Sequence, residues 1–392
     1  MKQLLLSGLL AANAISLGLP ATAQSARSFH TLDGRTLRPA ELDRVVRRLM
    51  DSAQVPGLAV VLLEHNRVRY LRTFGYRNVA TKTPLDPQTS MYGASLSKAV
   101  FAYLVMQLVQ EQVLDLDKPL AQYLPQALPA YDAYRDLAGD GRWQRVTARQ
   151  ALTHTTGLPN WRWLAPDKKL HFKFDPGQQY WYSGEGLQLL QFVLETMTQQ
   201  SLVQLSEARV FRPLGMMHTS YVWQPAFEQN YALGYDEQGQ PLPKRRRTAA
   251  GAAGSLETTP ADYAAFVAAV MQGRGLTAAA KREMTRTQVR IPYRSQFGPL
   301  ATVAAADSNR TIGLGYGLGW GTFDSPYGPA YFKEGHDEGW ENHSVVFSRQ
   351  GKALVLLGNS SRADSIYMAL LAQLLGDQST PAAWENYASY AK

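Results

Sequence analysis

The sequence predicts an α+β fold in which both ends of the chain build one antiparallel sheet around a mostly helical middle. Paired strand-like runs lie near each end, at Leu58–Glu64 with Arg67–Phe74 and at His343–Arg349 with Lys352–Gly358. Helical periodicity dominates between them. An amphipathic helix flanks each terminal pair, with Leu42, Val45, Val46 and Leu49 on one face of residues 39–51 and Ile366, Leu370, Leu371 and Leu374 on one face of residues 361–375.

In chain order, Pro39 opens the first helix. His65-Asn66 reads as a tight turn between the first two strands, and Gln350-Gly351 as the turn between the last two. Helices are expected over 95–111, 147–152, 186–199 and 260–272, separated by Pro/Gly-rich loops at 124–129, 159–176 and 249–255. A further strand is expected at Ala330–Lys333, and 335–340 would then be the loop that joins it to the next. The sheet region covers about 39–80 and 310–376 and the helical region about 81–309, within a single domain over 24–392.

The 392 residues are 45% hydrophobic and 18% charged, a globular composition that excludes fibrous and disordered classes. There is no cysteine, so thiol nucleophiles, thiolate metal sites and disulfides are excluded. Met1-Lys2, the apolar run Leu4–Leu19 and Ala21-Thr22-Ala23 form a secretory signal pattern over residues 1–23, too short to be a comfortable membrane span. An exported protein, periplasmic or secreted after cleavage near Ala23, is expected, with no stable membrane span. The net charge is +8. Its one dense run, Lys244-Arg245-Arg246-Arg247, reads as a solvated loop rather than a nucleic-acid surface.

The chemistry centres on Ser95-Leu96-Ser97-Lys98 at the start of a helix. Residues three apart share a helix face, so Lys98 reaches the Ser95 hydroxyl. A serine needs such a base to become a nucleophile, and a lysine becomes one when burial or a neighbouring cation lowers its pKa. Ser95 has its lysine three residues on at the start of a predicted helix. As a purely structural residue it would cap the helix.

Two further stretches follow in order, Tyr182-Ser183-Gly184 and Gly335-His336-Asp337-Glu338-Gly339-Trp340. Together with Ser95–Lys98 they resemble the three active-site motifs of the serine β-lactamase and penicillin-binding protein superfamily. The pattern is most similar to its class C β-lactamase-related branch of β-lactamases, D-alanyl-D-alanine carboxypeptidases, D-aminopeptidases and esterases. Residues 147–159, Arg212–Met216, Ala252–Leu256 and Tyr316–Trp320 resemble other signature segments of that branch.

The resemblance implies a β-lactamase/transpeptidase-like fold. It implies an acylated Ser95, with Lys98 and Tyr182 moving its proton, His336 at the head of the third motif, and an oxyanion hole from the backbone N–H groups of Ser95 and Gly339. Gly184, Glu185, Glu338 and Trp340 would then meet the substrate. Gly184 stands where the family usually has Asn, and His336-Asp337-Glu338 stands where it has Lys-Thr-Gly or His-x-Gly. With acids around His336, an ester or an amine-bearing substrate is expected over a carboxylate-bearing β-lactam.

His154 is expected to be a hydrogen-bonded core residue. Neither a metal nor another cofactor is implied, because no ligand spacing occurs. The partner is a small-molecule or peptide acyl substrate, not nucleic acid. The alternative is a catalytically inactive penicillin-binding-like module that binds cell-wall peptide or a protein partner.

Overall fold

A computed structural model describes residues 28–304 and 307–387. The expected leader and its cleavage site lie outside the described residues. No helix among them is long and apolar enough to cross a membrane.

The first helix, α1 (Pro39–Ala53), buries Leu42, Val46 and Met50. Strands β1 (Gly57–Glu64) and β2 (Arg67–Asn78) form a hairpin across His65-Asn66, both at positive φ as a two-residue turn requires. The short strand β3 (Met91–Ala94) leads into α2 (Leu96–Gln110). The helical region continues with α3 (Ala148–Leu152) and α4 (Gly184–Thr198). Strand β4 (Leu256–Thr258), which pairs with β3, and α5 (Pro260–Gln272) close it. The chain then returns through β5 (Gly321–Ser325), β6 (Gly328–Asp337), β7 (Trp340–Phe347) and β8 (Lys352–Gly358).

The sheet is antiparallel, in the order Thr83–Pro84, β2, β1, β8, β7, β6, β5, Gly315–Tyr316, Val289–Arg290. Pairing β1 with β8 joins the two chain ends at its centre. Both strands are buried throughout their apolar runs, because each sheet face has a cover. Val61, Leu63, Val355 and Leu357 pack on the helical region; Val60, Leu62, Leu354 and Leu356 pack against α1 and the C-terminal helical segment 363–375.

Two expectations about boundaries change. Strand β6 runs on to Asp337, and β7 begins at Trp340, so Gly335-His336-Asp337 is strand and the turn is only Glu338-Gly339. The stretch 244–247 is a loop with Arg245 and Arg246 exposed, but its charges are paired rather than merely solvated. Lys244 is buried against Glu257 at 2.7 Å, Arg245 pairs with Asp337 at 3.0 Å, and the Arg247 guanidinium stacks 3.9 Å over the Tyr92 ring. Acids from three other segments, Glu228, Glu257 and Asp337, answer the basic run, which sequence distance hides.

Candidate active site

The apolar length of α2 buries it as the central rod of the helical region, and this carries Lys98 out of water. Ser95 precedes α2 in helical conformation and its side chain caps no backbone group, so the structural reading of this serine does not hold. Ala94 just before it has φ 46, a strained value for a residue with a Cβ, and one that recurs at functional turns. The Lys98 Nζ lies 3.0 Å from Ser95 Oγ and 2.6 Å from the Ala253 carbonyl. Burial, and then the Lys333 ammonium, push the Lys98 pKa well below the usual lysine value, against the opposing pull of Glu334.

Tyr182 approaches from the segment that precedes α4. Its ring sits 4.7 Å from the Lys98 Nζ, and its hydroxyl accepts a hydrogen bond from Lys333 Nζ at 3.3 Å. Burial and the Glu334 charge raise its pKa well above that of free tyrosine, so it rests as a phenol rather than a phenolate. His154 holds this segment from behind. Its Nδ1 accepts from the Ser183 N–H at 3.1 Å, its carbonyl accepts from the Trp181 N–H at 2.8 Å, and its ring packs 4.3 Å from that of Tyr182. Burial and the two nearby lysines hold its pKa well below normal, so it is neutral.

Lys333 is the site residue that the sequence reading passed over. It is fully buried and bonds both Tyr182 and Glu334. Burial lowers its pKa and Glu334 opposes that fall. Burial also drives the Glu334 carboxyl up, but Lys333 and the Gln296 amide at 2.8 Å outweigh it and keep it low. Next comes Gly335, where a Cβ would lie 2.4 Å from the Gly93 carbonyl oxygen and 3.1 Å from the Leu96 nitrogen. Only glycine allows β6 so close to the start of α2.

The edge of β6 is open there, since β5 pairs with it only as far as Phe332. The Asn359 N–H to Gly57 carbonyl bond sets the ladder alternation across β8 and β7. It turns the His336 backbone N–H away from β7, toward that open edge and Ser95. Ser95, Lys98, Tyr182 and His336 line one cavity of about 780 Å³.

The Beta-lactamase family model matches residues 42–392 of this chain. The chain belongs to the beta-lactamase family of serine hydrolases. Protein flp of Staphylococcus aureus (strain N315) is 24% identical over 217 residues, 51% of this chain and 41% of that protein. Esterase EstB of Burkholderia gladioli is 29% identical over 243 residues, 55% and 59% of the two chains. The chain thus matches about half the length of these curated relatives. The octameric penicillin-binding protein homologue from Pyrococcus abyssi superposes with a TM-score of 0.69 at 22% identity, over 87% of this chain and 78% of that one. D-alanine carboxypeptidase AmpC from Burkholderia cenocepacia gives 0.64 at 22%, over 82% and 93%. These two show the β-lactamase/transpeptidase-like fold.

Strand β6, beside the start of α2, carries Lys333-Glu334-Gly335 at that point. Lys333, three residues before the expected His336-Asp337-Glu338, is the side chain that reaches Tyr182. That reading placed a loop over 335–340, where residues 335–337 are in fact strand. Gly339 is corrected with it. Its N–H donates to Ser361 Oγ at 2.7 Å and is not free for an oxyanion. The His336 side chain turns to Glu341, which raises its pKa. Among the described residues, it makes no bond to Ser95, Lys98 or Tyr182.

None of the four residues expected to meet the substrate lines the Ser95 cavity. Glu338 is exposed at the hairpin tip, and Trp340 packs edge-on to Tyr92; both line a neighbouring cavity rather than that of Ser95. Glu185 is buried in a two-pronged pair with Arg162, at 3.0 and 2.7 Å, and holds the 160–164 loop. Gly184 lies behind that loop. A Cβ there would meet the Asn160 carbonyl oxygen and the Trp161 indole at 2.7 Å. Asn160 and Trp161 thus close on the glycine and line the cavity near Lys98. Replacing Arg162 with alanine strands the Glu185 carboxylate, and a loss of about 3 kcal/mol is expected. The urea-unfolding midpoint reads it.

Proposed function

We propose that the protein hydrolyses carboxylic esters through an acyl-enzyme on Ser95, and that β-lactams are not its substrates. The observation that carries this is the buried Lys98 amine 3.0 Å from Ser95 Oγ, with Lys333 on the Tyr182 hydroxyl behind it. With its pKa lowered, Lys98 takes the Ser95 proton as Oγ bonds to the substrate carbonyl carbon. The backbone N–H groups of Ser95 and His336 receive the oxyanion. As the C–O bond to the leaving alcohol breaks, the proton passes from Lys98 through Tyr182 to the departing oxygen. Water then gives up a proton through Tyr182 to Lys98 as its oxygen bonds to the acyl carbon, the acyl C–Oγ bond breaks, and Lys98 returns the proton to Ser95 Oγ.

The ester preference rests on charge. A substrate carboxylate needs an unanswered cation, yet Lys333 is met by Glu334, and Arg245 and Arg247 by Asp337. Gly184 itself brings no side chain to that place, and Asn160 and Trp161 close on it instead. The similarity to Esterase EstB agrees with an ester substrate.

Intact-mass measurement after mixing with p-nitrophenyl butyrate should show an acyl adduct that Ser95→Ala abolishes. A chromogenic cephalosporin should give kcat/KM at least about 100-fold lower than the ester. Cephalosporin turnover with no ester adduct overturns the preference. No Ser95-dependent adduct from either compound leaves the binding-module reading in its place.

A further inference from the structure

The loop that closes on Gly184 carries two tryptophans into the Ser95 cavity. Trp161 and Trp163 both line it, with their rings stacked 4.5 Å apart and 13° from parallel. Lys98 Nζ lies 3.0 Å from Ser95 Oγ and 6.0 Å from the Trp161 ring, so the pair stands a few carbon–carbon bonds from the acylated atom. Phe297, edge-on to Tyr182 at 5.1 Å, adds another ring to the lining.

Two observations set this pair apart from scattered surface apolar residues. The first is the way it is held. Asn160 accepts the Gly184 N–H on its Oδ1 and the Glu185 N–H on its carbonyl, both at 3.1 Å. Arg162, between the tryptophans in sequence, donates its backbone N–H to the Glu185 carboxylate at 3.0 Å and its guanidinium to the Ala133 carbonyl at 2.6 Å. Rings on a loop fixed in this way lose little freedom when a ligand lands on them. The second is exposure. Trp163 is 57% exposed even though it stacks on Trp161. A preformed aromatic surface that opens to water and lines a cavity is a ligand-contact surface.

The polar groups beside the pair define what it takes. Arg162 and Glu185 answer each other, and the cavity lining there adds only the neutral amides of Asn160 and Gln188. An uncharged, flat group suits that setting, lying offset against the indole face. We propose that Trp161 and Trp163 form an aryl subsite that sets the specificity of the Ser95 reaction, receiving an aromatic ring carried on a short chain from the ester carbonyl. The inference rests on the Ser95 hydrolase reading and names its substrate class, aryl-tipped esters. The ring can belong to the acyl or the alcohol side, and the test has an arm for each.

Hydrolysis followed by pH-stat compares ethyl 4-phenylbutanoate with ethyl butanoate for the acyl side, and 3-phenylpropyl acetate with propyl acetate for the alcohol side. In at least one arm the ring is expected to raise kcat/KM about tenfold or more. Trp163→Ala should cut that gain at least about fivefold, through KM rather than kcat. Each gain is a ratio within one variant, so damage to the catalytic centre cancels. Leu164→Ala is the control: Leu164 is 70% exposed on the same turn but outside the cavity lining, and its loss should leave the gain unchanged. No gain in either arm, a gain that survives Trp163→Ala, or one that Leu164→Ala reduces equally overturns the proposal. Calorimetry of the matching amides, 4-phenylbutanamide and N-(3-phenylpropyl)acetamide, with Ser95→Ala protein separates the two readings. Binding of either that Trp163→Ala removes, with no ester turnover in the wild type, overturns only the hydrolase reading. Binding of neither overturns the subsite.

Discussion

Replacing Lys98 with methionine lowers kcat/KM for an ester substrate by roughly 10⁴-fold, the expected loss when the base is removed and nothing nearby replaces it. The alternatives are poor. His154 is sealed behind Tyr182 with its Nδ1 committed to Ser183, and Lys333 is tied to Tyr182 and Glu334. Stability should move the other way. Lys98 sits fully buried with no carboxylate bonded to it, so methionine removes a desolvation cost and keeps the volume. The melting temperature should be unchanged or higher while acylation disappears. That pairing distinguishes lost chemistry from lost fold. A variant that keeps its acylation rate would remove Lys98 from the proton path.

Lys333→Met carries the second large effect, an expected fall of about 10²–10³-fold in kcat. Two contributions add. The Tyr182 hydroxyl loses the donor that holds it, and Lys98 loses the like charge that depresses its pKa. The second has a definite sign in pH. The active form of Lys98 is the neutral amine, so kcat/KM falls as pH drops through its depressed pKa. Without Lys333 the Lys98 ammonium is less disfavoured, its pKa rises, and the acidic limb of the profile must move to higher pH. A limb that stays put or moves lower contradicts the arrangement. His336→Ala supplies the contrast: only its backbone faces Ser95, so a loss below about tenfold is expected. If His336→Ala were the more damaging variant, the third motif would begin at His336 after all.

How legible the site was depended on whether its partners were close in sequence. Ser95 and Lys98 are one helical turn apart, so the period of α2 brings them together whatever else the chain does. Tyr182 was legible through its motif and its order along the chain. Lys333 was passed over because strand ends carry weak signals. Nothing in 330–340 marks where β6 stops, and shifting the expected turn by a few residues exchanged Lys333-Glu334-Gly335 for His336-Asp337-Glu338. A lysine followed two residues later by glycine, at the end of a predicted strand, was the available signal. Glu185 illustrates the opposite error. It adjoins the second motif in sequence, but the turn of α4 points it outward to Arg162.

By itself, then, the sequence determined the covalent neighbourhood of the nucleophile and the sheet built from both ends. Helix and strand periods are local properties that side-chain patterning expresses directly. Tertiary structure alone decided which charges are answered. Lys333 with Glu334, the basic run with Glu228, Glu257 and Asp337, and Glu385 with His343 owe their states to burial and to partners brought in by the fold. The energy of a charge is set by the medium and the neighbours around it, and neither is written into its position along the chain.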